Sequence, residues 1–174
     1  AVFNNVDDGG DKILPGAFKK TIIEKLPIKR IKFADFHNTW RSSEDIIGII
    51  EEAKEDDYGL WIKARLSKSV RAQEVREKVK DGILDALSIG YRAVKYSYEK
   101  TDENEPTVRI LEELELFEVS VVAFGMNSLA VITDAKNSNE IGIPKLFSML
   151  RSKIETVGLS ESEKKELREA INNL

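Results

Sequence analysis

ILDALSIGYRAVKYSY (Ile83–Tyr98) and VRILEELELFEVSVV (Val108–Val122) decide the fold. Both runs are long, rich in β-branched and aromatic residues, and patterned with a period of two. In the first, Leu87, Ile89, Tyr91 and Ala93 fall on one face, and Ala86, Ser88, Gly90 and Arg92 on the other. In the second, Glu118 and Ser120 share a face by the same period. Two such strands in sequence predict a mainly β domain of the α+β class.

Working outward, IKFADF (31–36) alternates apolar and polar residues and reads as a strand that delivers His37 at its end. Here Ile31, Phe33 and Asp35 face one way and Lys32, Ala34 and Phe36 the other. Ile46–Ala53 and Leu60–Leu66 are two further strands, joined by an Asp-rich turn as a hairpin. Phe18, Ile22 and Leu26 recur every four residues and predict a helix over Ala17–Leu26. Ser69–Asp81 is a second helix, with Ser69 as N-cap and Gly82 as stop. Residues 133–143, TDAKNSNEIGI, are a polar connector. Beyond it, Pro144–Arg151 and Ser160–Leu174 read as helices, the latter opening on the capping-box pattern Ser160-x-x-Glu163. The chain therefore divides into a domain over 1–132, a connector over 133–143 and a helical tail over 144–174.

The 174 residues, 41% hydrophobic, hold one ordinary domain with a core. No run reaches the roughly 18–20 apolar residues that cross a bilayer, and the opening lacks the pattern of a signal peptide. The absence of cysteine excludes disulfides, thiolate metal sites and thiol nucleophiles. The single histidine, His37, excludes a metal centre built on several imidazoles and gives imidazole chemistry one address. With 27 basic and 31 acidic side chains interspersed, no basic stripe tracks phosphates, so nucleic acid is not an expected partner. No cofactor or metal is called for.

Three residue types carry possible chemistry. His37 follows a strand; Ser88 sits in an apolar strand two positions before Gly90, where a backbone or ligand has room to approach. Glu118 is an acid within an apolar strand, costly there unless it is paired or faces solvent. Each taken alone has an ordinary reading: a surface histidine, a strand serine, a solvent-facing acid. Together they are the types that nucleophilic acyl transfer needs, a hydroxyl, an imidazole to take its proton and a carboxylate to orient the imidazole.

Five ordered motifs weight that reading. Asp8-Gly9-Gly10-Asp11-Lys12-Ile13-Leu14-Pro15-Gly16-Ala17-Phe18, Phe36-His37, Asp57-Tyr58-Gly59-Leu60-Trp61-Ile62, Lys80 to Tyr91 around Ser88, and Leu116 to Val122 around Glu118 resemble the tailed-phage prohead serine proteases. The resemblance spans about Val6 to Ala130. It implies a closed β-barrel like that of the herpesvirus assemblins, with flanking helices, and a protease working inside the immature capsid in the host bacterial cytoplasm. It implies Ser88 as nucleophile, His37 as general base and then acid, and Glu118 as the orienting carboxylate. The herpesvirus relatives use a second histidine as third member; with one histidine here, a side-chain triad requires an acidic one. Asp35 and Asp45 are fallback orienters. Oxyanion donors are sought in backbone N–H groups near Gly90, or in Arg92 or Arg109. The chain departs from the family at Asn38, where an aspartate is common, and at Gly125-Met126-Asn127-Ser128, where Pro-Ala-Asn-Pro is usual.

The expected function is a serine endopeptidase that cleaves capsid or scaffold segments, and itself, during prohead maturation. The connector over 133–143 is the expected self-cleavage region. The tail is expected to support homo-oligomerisation or docking to scaffold or capsid protein. The alternatives are a catalytically silent capsid-assembly module on the same barrel and a host-encoded hydrolase.

Overall fold

The computed structural model describes residues 1–100, 107–135, 160, 163 and 164. The strands are β1 (Asp11–Ile13), β2 (Lys32–Asp35), β3 (Ile46–Glu55), β4 (Leu60–Leu66), β5 (Ala86–Glu99) and β6 (Val108–Val122), with helices α1 (Lys19–Lys25) and α2 (Val70–Lys80). The chain forms two compact units, Ala1–Ala130 and Val131–Leu174. The first holds all of these elements.

Strand β6 organises the sheet. Along one edge it pairs antiparallel with β5 from Ala86↔Val122 to Glu99↔Val108. Along the other it takes two short parallel strands, β1 opposite Arg109–Leu111 and β2 opposite Glu118–Val121. Residues of β6 between those two partners face no strand, and α1 fills the gap: Leu114 N–H donates to the Ala17 carbonyl at 3.1 Å and Leu116 N–H to Thr21 Oγ1 at 3.0 Å. Thr21 is buried for this reason, since a buried strand N–H needs an acceptor. The Glu55 carboxylate of β3 holds the turn leading into α1, accepting from Gly16 N–H at 2.9 Å and Phe18 N–H at 2.7 Å. From β2 the sheet continues antiparallel through β3 to β4.

The mainly β, α+β expectation holds, and the closed barrel does not form. The regular ladder runs from β5 to β4 and remains open. Between β1 and β4, where closure would occur, there are isolated bridges at Val2↔Gly59, Phe3↔Ile13 and Val6↔Lys12. Asn4 at φ 57° breaks the extended conformation there, so no continuous strand spans the seam.

The helix expected over 69–81 forms with both predicted ends. Ser69 Oγ accepts from Ala72 N–H at 3.3 Å. At the other end Gly82 takes φ +70°, Gly82 N–H reaches the Val79 carbonyl at 3.2 Å and Ile83 N–H the Lys78 carbonyl at 2.8 Å, a Schellman closure. That closure consumes Ile83 to Asp85, so β5 starts at Ala86 rather than Ile83. The alternation expected for residues 31–36 fails: Phe33, Ala34 and Asp35 are all buried, with Arg71 over Asp35 on one face and the buried Ser120 beside Ala34 on the other. Phe18, Ile31, Ile47, Ile50, Leu111, Leu114 and Leu116 form the fully buried core.

Most of the connector and tail lies outside the described residues. Within the tail, the Ser160–Glu163 box is formed: Ser160 N–H donates to Glu163 Oε2 at 2.9 Å, and Lys164 N–H to the Ser160 carbonyl at 3.0 Å.

Candidate active site

His37 stands at the end of β2 in a turn built from two consecutive left-handed residues, Phe36 at φ 52° and His37 at φ 60°. Neither is glycine, and each such residue costs about 1–3 kcal/mol, a strain that persists only where surroundings impose it. Phe36 N–H donates to the Val121 carbonyl at 3.0 Å, and His37 N–H to Ser120 Oγ at 3.2 Å. The following 3₁₀ turn, Asn38–Trp40, sets the Trp40 ring edge-on to Phe117, with centroids 6.2 Å apart. Three contacts to β6 thus fix where the imidazole goes.

It goes to Glu118. His37 Nδ1 lies 2.5 Å from Glu118 Oε1, with the imidazole partly exposed and the carboxylate 4% exposed. A carboxylate facing Nδ1 keeps the proton on that nitrogen and leaves Nε2 as a free lone pair. The hydrogen bond to Glu118 raises the His37 pKa above its ordinary 6.5; partial burial opposes the shift, and the carboxylate's charge adds to it. Glu118 escapes the cost of an unpaired buried acid because both oxygens are engaged: Oε1 by His37 and Oε2 by the hydroxyl of Ser120.

The ladder between β5 and β6 brings the nucleophile candidate to the same place. Ser88 is directly opposite Ser120, and Gly90 directly opposite Glu118, before the register shifts. The shift leaves Phe117 as an extra residue in β6 immediately before Glu118, a bulge of the kind that re-aims a side chain. Ser88 and Gly90 share a face by the two-residue period, and on that face a Cβ at Gly90 would meet Glu118 Oε1 at 2.2 Å. Gly90 therefore clears the space for the carboxylate. Ser88 and His37 are not hydrogen-bonded to each other among the described residues. Such contacts are commonly loose before substrate binds.

The remaining candidates are engaged elsewhere. The buried Asp35 carboxylate lies 2.5 Å from Arg71 Nη2, at an angle that gives no regular hydrogen bond. Asp45 lies 3.8 Å from the same guanidinium. Arg92 is largely exposed and pairs with Glu115. Arg109 binds Asp11 through Nε at 2.7 Å and Nη2 at 2.6 Å, and Tyr91 donates to Asp11 at 2.6 Å. Burial and the Asp11 carboxylate together push the Tyr91 phenol above its usual range. Asp11, Tyr91 and Arg109 line a cavity of about 330 Å³ together with Ser88, Leu60, Leu87, Ile89, Val119 and Met126. The substituted segment Gly125-Met126-Asn127-Ser128 is a turn whose Asn127 carbonyl accepts from Ala130 N–H at 3.0 Å, while the Ala130 carbonyl accepts from Leu87 N–H at 2.8 Å beside Ser88. No helix among the described residues is long and apolar enough to cross a membrane.

Sequence reasoning noted that Ser120 shares a face with Glu118 but gave it no part, and it missed Arg71. The Glu118-x-Ser120 spacing was the available signal for the first. Nothing in the pattern of α2 marks Arg71 as the partner of Asp35.

The family model described as caudovirus prohead serine protease matches residues 1–142. The prohead protease of Enterobacteria phage HK97 is 30% identical over 165 residues, covering 94% of this chain and 68% of the phage protein. The major capsid protein of Halomonas phage phiHAP-1 is 34% identical over 88 residues, 50% of this chain and 14% of that protein. No solved structure matches the chain significantly.

Proposed function

This chain belongs to the caudovirus prohead serine proteases, and from that premise we propose that Ser88, His37 and Glu118 carry its reaction. The single observation behind the assignment is the 2.5 Å contact from His37 Nδ1 to Glu118 Oε1, on the face of β6 opposite which Ser88 is registered. In this reading Nε2 takes the Ser88 proton as Oγ attacks the scissile carbonyl. The imidazolium, stabilised by Glu118, returns the proton to the leaving amine as the C–N bond breaks. Water then attacks the acyl-enzyme with His37 again as base, and the acid product leaves as Ser88 recovers its proton.

With Arg92 and Arg109 engaged by carboxylates, backbone N–H groups of β5 near Gly90 are the donors we assign to the tetrahedral oxyanion. Losing one such donor raises the barrier by about 3–4 kcal/mol.

As substrates we assign segments of the major capsid protein or its scaffold, and the chain's own connector over 133–143, within the prohead. The similarity to part of a phage major capsid protein supports that setting. Residues 144–174 are assigned to docking on that assembly. Co-expression with the cognate capsid protein tests the assignment: the wild-type chain should truncate it, and Ser88→Ala should leave it whole. Equal truncation by both removes Ser88 from the reaction, and no truncation by either favours the silent assembly module.

A further inference from the structure

Ser120 lies wholly buried at the centre of β6, opposite Ser88 of β5 on one side and Ala34 of β2 on the other. A hydroxyl has one proton to give and lone pairs to accept with. Ser120 spends the proton on Glu118 Oε2 and accepts the backbone N–H of His37 at 3.2 Å. One oxygen atom thus touches both the carboxylate that orients the imidazole and the backbone that carries it.

The consequences follow from the geometry. Glu118 is held at both oxygens, Oε1 by the imidazole and Oε2 by Ser120, so rotating the carboxylate breaks one contact or the other. At 3% exposure Glu118 has almost no access to water as a replacement for a lost donor. The His37 N–H belongs to a left-handed turn that must be held in place, and Ser120 Oγ is its acceptor. Were Ser120 only satisfying that N–H, a backbone carbonyl would serve, as Val121 serves Phe36. A hydroxyl adds what a carbonyl lacks, a donor aimed at the acid.

We propose that Ser120 is a positioning residue for proteolysis, locking the Glu118 carboxylate and the His37 turn in one register so that the imidazole presents Nε2 to Ser88. This rests on the Ser88–His37–Glu118 reading above. Removing the outer partner of a metal-ligating histidine typically lowers activity by on the order of 10–100-fold, and we expect a loss of the same order here.

The sole histidine makes the test direct, because imidazole labelling with ¹⁵N gives one set of signals from the full chain. In the wild type, the Nδ1 proton should be strongly deshielded and slow to exchange. In Ser120→Ala that resonance should move upfield or vanish into exchange, and Ser88 labelling by a fluorophosphonate probe should slow by roughly 10–100-fold, with circular dichroism unchanged. Ser120→Thr, which keeps the hydroxyl, should restore both readouts in large part. Should Ser120→Ala unfold, Ser120→Cys, a much weaker donor, carries the same comparison. A wild-type resonance in the hydroxyl-deleted variant, or a wild-type labelling rate, overturns the proposal. If the wild type is not labelled at Ser88 at all, the triad reading falls instead, and the resonance alone decides whether Ser120 holds His37 on Glu118.

Discussion

A Cβ on Gly90 would sit 2.2 Å from Oε1 of Glu118, the same oxygen that faces the His37 imidazole. The contact is far inside van der Waals range, and the acid is clamped by Ser120 on its other oxygen. Gly90→Ala should therefore push the carboxylate off the imidazole. The expected result is loss of proteolysis with a destabilisation of about 1–3 kcal/mol, read by capsid-protein cleavage and urea unfolding. Full activity in this variant would mean that Glu118 can orient His37 from elsewhere.

The hydrogen bond that His37 donates to Glu118 raises the His37 pKa above 6.5, and in the proposed mechanism only the neutral imidazole can accept a proton from Ser88. Activity should fall as pH drops through that raised value, so its acid limb should lie above pH 6.5. Glu118→Gln should move the His37 titration, followed by NMR, back toward the ordinary value. The linked stability has the opposite sense: with the folded pKa above the unfolded one, the pair's contribution is complete below pH 6.5 and lost as pH rises through the folded value. A His37 titration that does not respond to Glu118→Gln would contradict the pairing.

Arg71 of α2 holds the buried Asp35 two residues before His37. Arg71→Met leaves that carboxylate without its partner in a site only 1% exposed. The expected cost is about 1–3 kcal/mol in chemical denaturation, recovered in part by adding Asp35→Asn. Unchanged stability in Arg71→Met would mean that water reaches Asp35 freely.

Local signals carried much of the fold into view. Period-two alternation located β4, β5 and β6, the run from Ile46 to Ala53 marked β3, and Ser69 with Gly82 marked the ends of α2, because these features depend on neighbours within a few residues. What the pattern hid depends on partners far along the chain. β2 is buried on both faces by partners far along the chain, with Arg71 of α2 over Asp35 on one face and Ala34 beside the buried Ser120 of β6 on the other, so alternation misjudged it. The unclosed seam between β1 and β4 turns on one left-handed asparagine, Asn4, which has no periodic signature. At the site, the order of motifs made His37, Ser88 and Glu118 the candidates, and of these the structure brings His37 and Glu118 into contact. At Gly90 the sequence shows room for a close approach but not that Glu118 Oε1 is what occupies it. The Glu118-x-Ser120 spacing puts Ser120 on the face of Glu118 without showing what it touches, and nothing in the pattern of α2 marks Arg71; both roles are contacts of the folded chain.

The central claim is that Ser88 is the nucleophile activated by His37. Its most direct test is fluorophosphonate labelling of the wild-type chain, with the modified residue mapped by mass spectrometry and Ser88→Ala and His37→Ala run alongside. The predicted result is a single adduct on Ser88, absent in Ser88→Ala and strongly slowed in His37→Ala. Equal labelling of all three chains, or an adduct on a different residue, would contradict it.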